Sequence, residues 1–187
     1  MTRIVAGRLG GRRIATPPGH RTRPTSDRVR EAMFSTLEAM TGLVGTRFAD
    51  LYAGSGAIGL EAFSRGAAHV LLVESDPRAA RTARENLVAL RAAPAVRLVT
   101  AKVAQVLAAA PDGGPYDVVF ADPPYDVPDK EVTAMLAALV EGGWLATEAV
   151  VVVERATRAG PVTWMEGITE QRSRRYGETT LWYGRRS

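Results

Sequence analysis

Apolar residues along this chain fall in short runs separated by stretches of helical period. Val29, Met33, Leu37 and Met40 recur at three- and four-residue spacing. They predict a helix over 26–40 with Ser26 as N-cap, Asp27 in its first turn and Gly42 beyond its end. From residue 47 the pattern alternates. RFADLY (47–52), HVLLVE (69–74), VRLVT (96–100), YDVVFA (116–121) and AVVVVE (149–154) are apolar runs of strand length. Helical stretches lie between them. One follows a Gly-rich turn and ends at Gly66, and one opens with Asp76 as N-cap and Pro77 at its first position. A short one covers 103–110 and another about 129–140. Continuous apolar strands alternating with helices predict an α/β fold with a parallel sheet covered on both faces. RIVAGRLGGRRIAT (3–16) reads as a separate hairpin, and QRSRRYGETTLWYGRR (171–186) as a second one turning near Gly177. The strands of this second hairpin complete the sheet, one of them antiparallel.

Composition adds little until charge is mapped onto that frame. The 187 residues are 46% apolar and 24% charged, values of a globular domain with a substantial core. There is no cysteine, and His20 and His69 are isolated, so neither disulfide nor metal centre is expected. The N-terminus lacks the apolar core of a signal peptide, and the longest apolar runs are too short to span a membrane. A cytoplasmic monomer is the expectation. Residues 1–30 carry eight Arg against Asp27, residues 31–154 carry nine basic and sixteen acidic side chains, and residues 155–187 carry seven Arg against three Glu. Basic ends on an acidic middle suggest a polyanion partner such as nucleic acid. Charge by itself leaves solvated arms as the simpler reading. The basic hairpin and loop over 1–25 are expected to form an RNA-binding extension of a domain spanning 26–187. Arg3, Arg8, Arg12 and Arg13 would grip phosphates there.

The turn DLYAGSGAIG (50–59) has Gly54, Gly56 and Gly59 at the G-x-G-x-x-G spacing, between a strand and a helix, with Glu74 ending the next strand. This is a fingerprint for an adenosine-containing cofactor whose ribose is held by the acid. A nicotinamide-dependent oxidoreductase would use the same glycines. Asp50 opposes that alternative, because a carboxylate beside the turn repels a pyrophosphate and attracts an ammonium. S-adenosylmethionine offers an ammonium, a sulfonium and a ribose. A role for Asp50 in capping the turn stays open.

ADPPYD (121–126) sits at the corresponding exit of YDVVFA. An exocyclic amine of a nucleobase is a poor nucleophile, because its lone pair is delocalised into the ring. Asp122 and the Pro123 carbonyl can accept hydrogen bonds from its two N–H groups and aim the lone pair. Pro123 and Pro124 fix the geometry and donate no competing N–H. Tyr125 offers a face on which a flipped base stacks. A plain Pro-rich strand exit is the competing reading of these residues.

DLYAGSG, VE at 73–74 and DPPY, in that order, resemble the motifs of class I S-adenosylmethionine-dependent methyltransferases that act on amino groups. RIVAGRLGGRRI, RPTSDRVREAMFS (23–35) and YAGSGAIGLEAFSRGA narrow the resemblance to the bacterial 16S rRNA guanine-966 N2-methyltransferase family. The similarity runs from Arg3 to roughly the C-terminal hairpin. It implies a Rossmann-like class I methyltransferase fold, seven-stranded and mostly parallel, with helices on both faces and an N-terminal β-hairpin appendage. It implies methyl transfer from S-adenosylmethionine to guanine N2 in 16S rRNA, within an assembling 30S particle. Asp122, Pro123, Pro124 and Tyr125 would hold the guanine. Asp50, Ala53, Gly54, Ser55, Gly56 and Glu74 would bind the cofactor, with Asp122 at its methyl end. Arg23, Pro24 and Thr25 would flank its methionine end. Ser75 and Lys102, on neighbouring strand exits, complete the expected cofactor set. Related enzymes often carry an acid near Ala101–Lys102, so this chain departs from them at the adenine contact. Arg28 would reach RNA or pair with an acid of the domain. A DNA adenine-N6 methyltransferase shares DPPY, but this chain has no spare region for reading DNA bases. A non-catalytic RNA-binding module would not need Asp122 and Tyr125.

Overall fold

The structure, a computed structural model, describes residues 2–17 and 26–187. A two-stranded antiparallel hairpin, β1 (Thr2–Arg3) with β2 (Arg13–Ile14), precedes helix α1 (Asp27–Met40). Then come β3 (Arg47–Leu51), α2 (Ala57–Ser64), β4 (His69–Glu74), α3 (Pro77–Ala89), β5 (Val96–Thr100), α4 (Val103–Leu107), β6 (Tyr116–Ala121), α5 (Asp129–Glu141) and β7 (Leu145–Ala156). A last hairpin, β8 (Ile168–Tyr176) and β9 (Thr179–Arg186), closes the chain. The seven-stranded sheet has the order β5-β4-β3-β6-β7-β9-β8. Strands β3 to β7 are parallel, β9 runs antiparallel to β7, and β8 pairs antiparallel with β9. The expected α/β architecture is the observed one.

Side-chain alternation divides the core between the two faces. Phe48, Leu72, Val118, Phe120, Val150 and Val152 pack on one side with Phe34, Leu37 and Leu60. Leu51, Val73, Val119, Val151 and Val153 pack on the other with Leu136, Leu139 and Trp144. Ser26 caps α1 by accepting from the Val29 N–H, and Asp76 caps α3 by accepting from the Ala79 N–H. Two boundaries differ from the sequence pattern. Helix α4 stops at Leu107, with Ala108 as its C-cap, short of the 103–110 expected. Strand β7 starts at Leu145 instead of 149. Its first four residues are partly exposed, so the apolar run marks only the buried part, and the register with β6 shifts between Tyr116 and Val118.

The N-terminal hairpin is built into the domain. Ile4 and Ile14 are buried in the same cluster as Phe34 and Leu60. Glu61 of α2, fully buried, accepts from the Val5 and Ala6 amides at 2.8 and 3.0 Å and pairs with Arg30 and Arg65. Arg30 also bonds the Arg3 carbonyl and Asp27. Gly7 packs so close to α2 that a Cβ there would lie 2.1 Å from the Ser64 carbonyl oxygen. Buried Asn86 of α3 joins the hairpin to the glycine turn. Its Oδ1 accepts from the Ala15 N–H at 2.7 Å, and its Nδ2 donates to the Ala15 and Ser55 carbonyls, each at 2.9 Å. Removing these bonds leaves partly buried backbone groups unpaired. Asn86→Ala is therefore expected to cost about 2 kcal/mol, a fall of roughly 4–8 °C in Tm by thermal unfolding.

Candidate active site

The strand order reverses between β3 and β6, because β4 and β5 lie to one side and β6 and β7 to the other. A crevice opens at such a switch point, outside the carboxyl ends of the strands. Four acids stand along this edge: Glu74 ending β4, Asp50 in β3, Asp122 just after β6 and Glu154 in β7. The turn between β3 and α2 is tightly wound. Tyr52, Gly54 and Gly56 have φ of 62°, 57° and 84°. A left-handed conformation at a tyrosine costs on the order of 1–3 kcal/mol, and strain of this kind gathers at functional sites. Hydrogen bonds hold the turn in place: the Ala53 N–H donates to Val73 O, and the Gly56 N–H to Ala53 O, both at 2.8 Å.

Glu74 organises the turn directly. One carboxylate oxygen accepts from the Gly54 N–H at 2.7 Å and the other from the Asp76 N–H at 2.8 Å. The side chain remains half-exposed, with lone pairs left for a diol. The glycines serve different ends. A Cβ on Gly59 would sit 2.3 Å from Leu72, so Gly59 allows α2 to approach the sheet. A Cβ on Gly54 would meet nothing within 4 Å, so Gly54 faces open space. Open space beside Gly54, with Glu74 at its rim, fits an adenosine group.

Asp50 is only 1% exposed, and its Oδ2 accepts from the Gly59 N–H at 2.9 Å. Burial pushes its carboxyl up to about 8. Glu74 adds to the rise, and the Gly59 bond opposes it. Asp50 thus caps α2 from within the sheet, the capping role left open by the sequence. It keeps a buried acid beneath the glycine turn.

Asp122 is half-buried and has no hydrogen-bond partner among the described residues. Its carboxyl is held well above the usual carboxylate range by burial first, then by the charges of Glu154 and Asp50, with Arg155 opposing. Pro123 is buried, Pro124 is exposed, and Tyr125 is 52% exposed. The Val127 N–H donates to Pro124 O at 3.0 Å. Arg155 donates to Val127 O at 3.0 Å and to Asp129 at 3.1 Å, which fastens the loop exit to β7. Beyond Tyr125 lies a cavity of about 380 Å³ lined by Tyr125, Ala156, Thr157, Arg158, Arg175 and Glu178.

The fold thus brings Asp50, Ala53, Gly54, Ser55, Gly56, Glu74, Asp122, Pro123, Pro124 and Tyr125 to one edge. Ser75 and Lys102 are exposed on the loops after β4 and β5. Arg23, Pro24 and Thr25 lie outside the described residues. Arg3, Arg12, Arg13 and Arg28 are exposed. Arg3 lies 3.7 Å from Asp27, Arg12 donates to Ala89 O, and the Arg8 guanidinium stands 4.4 Å over the Phe63 ring. Sequence reasoning missed Glu154, Arg155 and Arg158. The signal was present in AVVVVERATR, where the apolar run of β7 gives way to an acid, as those of β3, β4 and β6 do.

Strand order, antiparallel β9 and a glycine turn at the switch point together define a Rossmann-like methyltransferase fold. A solved putative methyltransferase, yhhF of Escherichia coli, superposes with a TM-score of 0.86 at 33% identity, covering 98% of this chain and 97% of that one. The chain belongs to the family described as conserved hypothetical protein 95, which matches residues 2–185. Ribosomal RNA small subunit methyltransferase D of Escherichia coli (strain K12) is 39% identical over 166 residues, 87% of this chain and 80% of that protein. Putative rRNA methyltransferase YlbH of Bacillus subtilis (strain 168) is 33% identical over 153 residues, 81% of each. These relatives bear out the resemblance read from DLYAGSG, DPPY and the RPTSDRVREAMFS block.

Proposed function

We propose that this chain transfers a methyl group from S-adenosylmethionine to the exocyclic N2 of a guanine in small-subunit rRNA, at position 966, within an assembling 30S particle. The observation that carries the reading is the placement of Asp122-Pro-Pro-Tyr at the switch point, one strand away from the glycine turn. The names of the relatives supply the RNA, and the family resemblance supplies the base and its position. S-adenosylmethionine supplies an activated methyl on a sulfonium. The chain does the rest by positioning. Gly54 leaves room for the cofactor, Glu74 takes its ribose hydroxyls, and Asp50 offers a carboxyl that ionises against its ammonium. Ala53, Ser55, Gly56, Ser75 and Lys102 line the same crevice, and Arg23 and Thr25 belong to the methionine end. Tyr125 stacks the base. The carboxylate of Asp122 and the Pro123 carbonyl accept from the two N–H groups of N2, and the proton released after transfer passes to Asp122 or water. Arg3, Arg8, Arg12, Arg13 and Arg28 contact phosphates.

Transfer of labelled methyl to naked 16S rRNA, to partly assembled small subunits and to unmethylated DNA tests this directly. Recovery of N2-methylguanosine after digestion supports it. Label in DNA adenine, or in no nucleic acid, overturns it. The charge around Asp122 gives a second test. Glu154 raises the Asp122 carboxyl, so Glu154→Gln lets it ionise at lower pH. The acidic limb of the kcat profile is expected to move downward by about half to one pH unit. A limb that stays in place removes Asp122 as the titrating group.

A further inference from the structure

Tyr125 and Arg158 stand opposite one another, somewhat closer than the separation that a base stacked between them needs. The Arg158 guanidinium carbon lies over the Tyr125 ring, 6.0 Å from its centroid. Closer contacts of this kind occur elsewhere in the chain, with Arg8 4.4 Å over Phe63 and Arg47 4.7 Å over Tyr116. A flat ring held between two planes needs about 7 Å, two contacts of about 3.5 Å each. Rotation of the exposed Arg158 side chain widens the gap to that separation. Both side chains line the cavity of about 380 Å³, a size that takes small ligands.

The backbone under Arg158 is fixed while its side chain is not. The Thr157 N–H donates to Glu178 O at 2.7 Å, and the Thr157 hydroxyl bonds Gly177 O and the Thr180 hydroxyl at 3.0 and 2.9 Å. Neighbouring Arg155 is engaged by Val127 O and Asp129, and Arg175 donates its Nε to Gly177 O. Among the described residues, Arg158 has no hydrogen bond or ion pair. Its guanidinium lies over the ring of Tyr125, and a guanidinium plane stacks on a base as well as on an aromatic.

We propose that Arg158 is the second face of a stacking clamp: a purine of the RNA substrate enters between the Tyr125 ring and the Arg158 guanidinium and is thereby presented to Asp122. This rests on the reading of the chain as an RNA methyltransferase. The clamp needs a plane and not merely a charge.

The test compares Arg158→Ala, Arg158→Lys and Arg158→Tyr in the full chain. Arg158→Ala is expected to raise KM for the RNA about tenfold or more, with cofactor affinity unchanged. Arg158→Tyr, planar but uncharged, restores KM to within about threefold, whereas Arg158→Lys does not. Full activity in Arg158→Ala overturns the proposal. So does rescue by Lys, which assigns a phosphate contact, and so does failure of both replacements, which assigns a contact to a base edge. A second readout is independent of turnover. An RNA oligonucleotide carrying 2-aminopurine at the target guanine should lose fluorescence on binding the wild type and Arg158→Tyr, and lose much less with Arg158→Ala. If the wild type transfers no methyl to RNA yet quenches in this pattern, the clamp stands and the proposed function falls. If it methylates RNA and all variants quench alike, the clamp falls and the function stands.

Discussion

Asp122→Ala is expected to lower kcat for methyl transfer by about a thousandfold, the scale of a lost positioning and proton-accepting group. Affinity for S-adenosylmethionine should change far less, because Glu74 and the glycine turn remain. The carboxyl stands above the usual carboxylate range, held there by burial, Glu154 and Asp50. An acid in that condition is neutral at lower pH. It gains its full accepting power only as it ionises, so the wild-type rate should climb with pH. Asp122→Asn separates the two roles. Its amide oxygen still accepts one N–H, but it cannot take a proton. A loss of about ten- to a hundredfold, with a flat acidic limb, is the expected result for Asn. Single-turnover transfer of labelled methyl measures both variants. Wild-type rates in Asp122→Ala would remove the residue from the chemistry.

The strands were legible as apolar runs, and three of their exits because an acid stands there that a buried strand does not need. Asp50, Glu74 and Asp122 mark the switch-point edge, and the parallel order follows from intervening helices that cross over. Pairings distant in sequence were not legible. Glu61 reads as one more acid on a helix, yet it holds the Val5 and Ala6 amides and two arginines. Asn86 reads as a surface polar residue of α3, yet it ties Ala15 to Ser55. The arginines of α1 illustrate the same limit. Charge counting treats Arg30 like Arg28, but Arg30 is 2% exposed in a buried network and Arg28 is exposed. Local pattern sets the elements. The partner of a buried charge depends on which elements dock, and one strand's run of residues carries no record of that.

Asp50→Asn should stabilise the cofactor-free chain at alkaline pH while weakening cofactor binding. The folded-state carboxyl is pushed up to about 8, against about 3.9 in an unfolded chain. Between those values the folded chain keeps a proton that the unfolded chain releases. The group's contribution to stability is therefore complete below about pH 4 and is lost as pH rises through about 8. Asparagine has nearly the same shape, can still accept from the Gly59 N–H and has no proton to lose. At pH 9 the full shift sets an upper limit on the order of 5 kcal/mol in favour of the variant, and relaxation around the ionised carboxylate reduces it. A gain of a few kcal/mol corresponds to roughly 5–15 °C in Tm. The gap should close below about pH 4, where the carboxyl is protonated in the folded and the unfolded chain alike. Cofactor affinity should move the other way. An ammonium above the glycine turn favours ionised Asp50, so wild-type affinity rises with pH through about 8, and Asp50→Asn loses both that slope and about tenfold or more in Kd. Thermal unfolding and calorimetry across about pH 3.5–9 read the two effects separately. Equal stability at pH 9 would mean that the buried carboxylate is already compensated. Unchanged affinity would mean that Asp50 serves only to cap α2, and the ammonium would then need another partner.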